Sequence, residues 1–317
     1  MKRKFLALFL TATLAFSFAA CGNDSKDAAK DSAPVEESAG TEDSADAELP
    51  EAEATDEPQE EEKADIDPIA EALKNMDSVT SMEAKMVMDM DMNVSADGQE
   101  QSIVSTTDMD MFWIKEPLKI KMDMTVEAAG QSTQMSIYAE PSEDGTYVMY
   151  IFDGTNWQSQ ATDIAELADY DARSTMVDSI GDGSDYTAEG MEQLDSGNAY
   201  KYSYVMTGEE TKEALLSSGA LDSVSSLGID STQLDSMLDG LGDITTYVWV
   251  DEATLYPVKY EMDMTDVMNA LMTNIVAAMG EQAEGMSMTV PKLSISMTCS
   301  NFNNVADFTV PEEAKAN

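Results

Sequence analysis

The chain contains no histidine, and that absence alone removes several chemistries. Without imidazole there is no Ser-His-Asp triad and no Cys-His pair, since no other unperturbed side chain trades a proton near neutral pH. Zinc and copper sites lose their commonest ligand in the same stroke. Cysteine is almost absent too, with only Cys21 and Cys299. Bases number 17 against 62 acids, a formal net charge of −45. Such a field repels phosphate backbones and anionic surfaces, and no basic stripe interrupts it, so nucleic acid is excluded as a partner. Phenylalanine is sparse at 8 residues, whereas methionine reaches 25, so the core must be built largely from flexible thioethers.

The N-terminus reads as an address rather than as fold. Lys2, Arg3 and Lys4 precede FLALFLTATLAFSF, an apolar run too short to span a bilayer comfortably. Small residues then lead to a cysteine in AAC, residues 19–21, and the whole has the pattern of an export signal. FAAC resembles the lipobox of bacterial lipoproteins, with Phe18 standing where leucine is commoner. Cys21 is therefore the expected site of lipidation, with acyl chains such as palmitate holding the protein on the outer face of the cytoplasmic membrane, exposed at the cell surface. With Cys21 acylated, Cys299 has no disulfide partner. Its strand parity with Leu293, Ile295 and Met297 predicts a buried, inert thiol.

From Gly22 to about Asp65 the composition collapses to Asp, Glu, Ala, Ser and Pro. Residues 22–66 hold 17 acids and three bases and no aromatic ring. So little apolar surface predicts a disordered acidic tether, about 35–40 Å in r.m.s. span before charge repulsion extends it. Residues 67–317 still hold 45 acids against 11 bases, so the acidity belongs to the domain as well. At about 250 residues that domain is large enough to bury its own core.

DPIAEALKNMDSVTS (67–81) opens the domain with Asp67 suited to an N-cap and Pro68 to the first helical turn. After it the period changes to two. KMVMDMDMNV (85–94) sets Met86, Met88, Met90, Met92 and Val94 on one face and Asp89, Asp91 and Asn93 on the other. Residues 103–113 and 118–126 alternate in the same way, with Met109, Met111, Met122 and Met124 on their apolar faces. This is the pattern of half-buried antiparallel strands, with ADG (96–98) and EAAG (127–130) as turns. Further strands are expected near 133–140, 146–152, 199–207, 244–251, 257–264 and 292–301. Helical or loop-rich insertions are expected at 160–180, 209–240 and 265–284, the last with Val267, Leu271, Ile275 and Met279 at helical spacing. The predicted fold is α+β: a curved antiparallel sheet, a half-barrel, with helices over its concave side.

The recurring Met-Asp-Met-Asp admits three readings. As strand, it needs only Met inward and Asp outward. As a copper site, thioethers on one face would bind Cu(I), yet soft copper sites also recruit His or Cys, and Met recurs on every apolar face here. As a calcium loop, DMDMNVSADGQE (89–100) puts acids at ligand offsets, but Val94 stands where the sharp turn requires glycine. Strand is the reading adopted, with no metal and no cofactor. There is no Walker loop, no G-x-S-x-G and no zinc spacing, and Glu261 and Asp263 share a wet strand face, so no enzyme is expected.

The order of elements, together with FDGTNW (152–157), TTYVWVDEATLYPVKYEMDMT (245–265) and SNFNNVADFTVPEEA (300–314), resembles lipoproteins of the LolA/LppX-like superfamily, and an uncharacterised Gram-positive family within it. The resemblance covers about residues 67–314. It implies a half-barrel closed by helices around an apolar cavity, used by relatives to carry lipids or lipoproteins, and it brings no catalytic residues. Met88, Met90, Met109, Met122 and Met262 are the candidate lining of such a cavity. The expected function is a membrane-anchored protein that binds or carries an apolar ligand. The alternative is a structural or interaction module of the envelope with a filled core. The sequence names no protein partner.

Overall fold

The computed structural model describes residues 67–316, apart from 97, 143, 168–169, 181–182, 219–235 and 284. The expectations for the export signal, for Cys21 and for the acidic tether lie outside the described residues. Helix α1 (Pro68–Asp77) begins as its sequence dictates: the Asp67 side chain accepts from Ile69 N at 3.2 Å, and Pro68 fills the first turn. It buries Ile69, Ala72 and Met76.

Six strands follow as a meander: β1 (Ser81–Ala96), β2 (Gln99–Ile114), β3 (Lys119–Ala128), β4 (Gln131–Pro141), β5 (Tyr147–Phe152) and β6 (Trp157–Thr162). Short helices α2 (Ile164–Leu167) and α3 (Ala172–Ile180) lead to β7 (Thr187–Leu194) and β8 (Gly197–Met206). Then come α4 (Gly208–Ser218), β9 (Ile244–Asp251), β10 (Pro257–Asp263), α5 (Thr265–Met279), β11 (Ser287–Ser300) and α6 (Glu312–Lys315). The strands form an open 11-stranded antiparallel sheet in the order β6-β5-β4-β3-β2-β1-β11-β10-β9-β8-β7. The last strand enters the middle, between β1 and β10, and so welds two meanders into one half-barrel.

Connectivity explains the curl. Strands β6 and β7 lie at opposite edges, yet only residues 163–186 join them. Ten gaps of about 4.8 Å would make a flat sheet roughly 48 Å wide. A connector with two helical pieces at about 1.5 Å per residue would have to be nearly taut to cross it. Instead α3 packs on β1 and β2, at mid-sheet, and against α1. The edges must therefore curl toward the helical side.

The hairpin from β3 to β4 turns on Ala129 and Gly130, with φ of 50° and 76°. Positive φ at both central positions is the signature of a type I′ turn, where Asn-Gly is preferred because an L side chain without a local hydrogen bond is strained there. Ala129→Asn should stabilise the domain by about 0.5–1 kcal/mol and raise Tm by roughly 1–4 °C. Thermal unfolding checks it, and an unchanged or lower Tm would mean that the turn is not type I′.

Two departures from the expected strands are informative. Strands β6 (WQSQAT) and β7 (TAEGMEQL) fall where insertions or nothing had been expected, and both are sheet edges. The outward face is also drier than expected. The C-terminal segment crosses it: Asn303 N donates to Ser81 O at 2.7 Å, the Phe302 ring stacks on Tyr256 at 4.4 Å, Phe308 meets Phe112 edge-on, and Lys315 reaches Glu140 at 2.9 Å. On the same face Lys201 and Lys259 lie over the Trp249 ring, at 4.8 and 4.3 Å from its centroid, and Trp249 is 1 % exposed. Lysine stems cover aromatic surface there while their charged ends remain near Glu192 and Glu261.

Candidate functional site: the methionine face

Alternation along β1 sends Met82, Ala84, Met86, Met88, Met90 and Met92 inward, all buried. The acids go outward, where Asp89 accepts from Lys292 Nζ at 2.9 Å and Thr106 Oγ1 at 3.0 Å. The lysine hydrogen bond, more than any other influence, holds that carboxyl below its usual range. The calcium-loop offsets are thus strand periodicity: residues 89–96 belong to β1 and 99–100 to β2, paired with each other.

Register aligns the inward residues into rows across the sheet. One row runs Tyr202, Val248, Tyr260, Met297, Met86, Met109, Met124, Met135 through eight strands. The next runs Met262, Ile295, Met88, Thr107, Val126. On the other side of the first, Met111, Met122, Ile137 and Ile151 are aligned. All five candidate methionines therefore lie on one face, across four strands, but they do not form one cluster. Met262 and Met122 sit four strand spacings apart, roughly 19 Å if flat.

Burial divides the face. Met88, Met90 and Met262 are each 5 % exposed, as deep as ordinary core. Met109 and Met122 are only half-buried, and so are Met111, Met124, Met135 and Ile137 around them. The closed half is covered where α5 packs on β11 and α1 lies against β9. The half-buried patch spans β2 to β4, and methionine there presents a deformable apolar surface to whatever approaches it. Cys299 lies in the closed half at 5 % exposure, and burial pushes its thiol well above the usual range, as expected of an inert sulfur.

Sequence reasoning missed two features of this face. Tyrosines replace methionines toward β8: Tyr202, Tyr204 and Tyr260 are buried, and the Tyr186 ring lies 5.5 Å from that of Tyr204. Burial raises the Tyr186 hydroxyl far above its ordinary value. The second feature is Arg173 on α3, whose guanidinium carbon lies 5.8 Å from the centroid of the Trp113 ring. One signal pointed to it, since Arg173 is the only arginine after Arg3.

A separate depression of about 500 Å³ sits on the opposite face, at the hairpin ends, lined by Ser102, Val104, Thr106, Glu127 and residues 128–132. It does not touch the candidate methionines. Among the described residues no three His, Cys, Asp or Glu side chains converge as a metal site would require, and no helix is long and apolar enough to cross a membrane.

Comparison with known proteins finds one family match and several distant structural likenesses. The family described as "Family of unknown function (DUF6612)" matches residues 66–317. No curated protein matches the chain. Among solved structures, the lipoprotein LppX of Mycobacterium tuberculosis is similar at 16 % identity and a TM-score of 0.36, covering 76 % of this chain and 95 % of its own. LprF from Mycobacterium bovis is similar at 14 % identity and a TM-score of 0.38, covering 77 % and 94 %. A DUF1329 family protein from Desulfovibrio piger follows at 11 % identity and a TM-score of 0.22, covering 77 % and 96 %. At these identities and scores no residue role transfers from them.

Proposed function

The chain belongs to the DUF6612 family, whose function is unknown, and from its methionine face we propose a lipid-anchored extracytoplasmic protein that binds or carries an apolar lipid ligand. The observation that carries this reading is the half-buried patch of Met109, Met111, Met122, Met124, Met135 and Ile137, continuous with a fully buried wall. Sites for apolar ligands are concave, mostly apolar surfaces of this kind. The reading asks for binding and for no reaction. Cys21 supplies the anchor, in a lipobox at the outer face of the cytoplasmic membrane of a Gram-positive cell.

A second reading, a filled structural or interaction module, draws support from the depth of Met88, Met90 and Met262. Bulky insertion separates the two. In the Cys21→Ala chain, a fluorescent fatty-acyl probe should bind and be displaced by natural lipids. Met122→Trp should lower probe affinity about tenfold while costing under about 1 kcal/mol of stability, because open space accepts the ring. In a filled core the same insertion forces strain of roughly 1–3 kcal/mol. Strong destabilisation, with no probe bound by the parent, would hand the protein to the second reading.

A further inference from the structure

The methionine patch has a polar end. Trp113 Nε1 and Arg173 Nε are buried donors without an acceptor among the described residues. Trp113 is 3 % exposed, held between Met82 and Ile120 on the neighbouring strands. The carboxylates nearest to Arg173, Asp171 Oδ2 at 3.8 Å and Asp77 Oδ1 at 3.9 Å, stand beyond hydrogen-bond length. Asp171 is engaged elsewhere, its Oδ1 accepting from Arg173 N and Ser174 N at 3.0 and 3.1 Å. Native proteins pair nearly all buried donors, and two orphans side by side call for an acceptor. Met111 precedes Trp113 by two residues on the same face, about 7 Å along the strand, so the donors border the half-buried patch.

We propose that Trp113 and Arg173 are the polar anchor of this site, donating to the ester or carbonyl oxygen of an uncharged lipid whose chains lie on Met111, Met122 and Met124. The proposal rests on the reading that the methionine face binds lipid. Charge selects the neutral class. Asp77 and Asp171 flank the guanidinium, and the domain carries 45 acids against 11 bases, so an anionic headgroup would enter a field of its own sign. A carbonyl oxygen offers two lone pairs to two N–H donors and brings no charge.

The test uses the Cys21→Ala chain and three ligands in a competition assay: dioleoylglycerol, hexadecane and oleate. Dioleoylglycerol should bind about tenfold or more tighter than either of the others. Trp113→Phe keeps a ring and removes the donor, and should weaken dioleoylglycerol about tenfold while leaving hexadecane unchanged, the loss expected for one hydrogen bond. Arg173→Met keeps an apolar stem at a part-exposed position and should act in the same direction should Trp113→Phe fold poorly. Equal losses for both ligands, or none, would overturn the anchor, making the pair mere packing or a site for bound water. Tighter binding of oleate would overturn the choice of a neutral ligand. Binding of none of the three by the parent would instead overturn the lipid-binding reading beneath it.

Discussion

Asn269→Leu is expected to destabilise the domain by about 2–6 kcal/mol. Strand β10 ends at Asp263, opposite Ser294, while β11 continues for seven more residues toward its start at Ser287. On that side of β11, helix α5 takes the place of a strand. Met264 N donates to Leu293 O at 2.9 Å, and Leu293 N donates to Thr265 Oγ1 at 2.9 Å. Asn269 then acts as a one-residue strand: its Nδ2 donates to Val290 O and its Oδ1 accepts from Val290 N, both at 2.6 Å.

Val290 is 1 % exposed and sits at an irregularity where the pairing with β1 shifts register. Pro291, next to it, has no N–H to offer. Leucine would leave two buried backbone groups unpaired, at roughly 1–3 kcal/mol each. On a domain of this size that lowers Tm by on the order of 10 °C, a large part of a typical stability of about 5–15 kcal/mol. Asn269→Asp, which keeps the acceptor and loses the donor, should also destabilise. A loss under about 1 kcal/mol for Asn269→Leu in thermal unfolding would show that Val290 finds other partners.

Cys21→Ala should move the protein from the membrane to the soluble fraction. Two or more acyl chains, at about 0.8 kcal/mol per buried CH₂, hold a protein firmly, where one chain binds marginally. Among the described residues nothing substitutes for them. The net charge of −45 repels anionic lipid, and no described helix could span the bilayer. The parent should pellet with membranes and resist a high-salt wash, while the variant stays in the supernatant. A variant that still pellets after the wash would refute Cys21 as the anchor.

Strand identity was legible wherever one face is dry. In β1, β2 and β3 the Met/Asp alternation marks the two faces, and the structure buries the methionines of β1 at 5 % exposure or less. Helix α1 was legible from Asp67 and Pro68, and α5 from its apolar spacing, although Ile275 of the expected stripe is only half-buried while Met268 and Met272 lie as deep as Val267 and Leu271. Strands β6 and β7 were illegible because an edge strand is held by hydrogen bonds to one neighbour and needs no apolar face. WQSQAT and TAEGMEQL therefore carry no period of two to read.

What the sequence determined by itself is local: which residues alternate, where a helix begins, how acidic the surface is, and that no imidazole chemistry exists. These follow from backbone geometry and side-chain type within a few residues. Tertiary structure decided what depends on distant segments. It inserted β11 between β1 and β10, which is what brings Met297 beside both Met86 and Tyr260. It separated five methionines of identical local pattern into three that are core and two that are half-buried, because the described helices pack mainly over β9, β11 and mid-sheet. It also brought Arg173 over Trp113, sixty positions apart in sequence, because the β6–β7 connection must cross mid-sheet to reach the far edge. No periodicity encodes such a meeting, since it depends on the order in which strands pair rather than on the residues that make each strand.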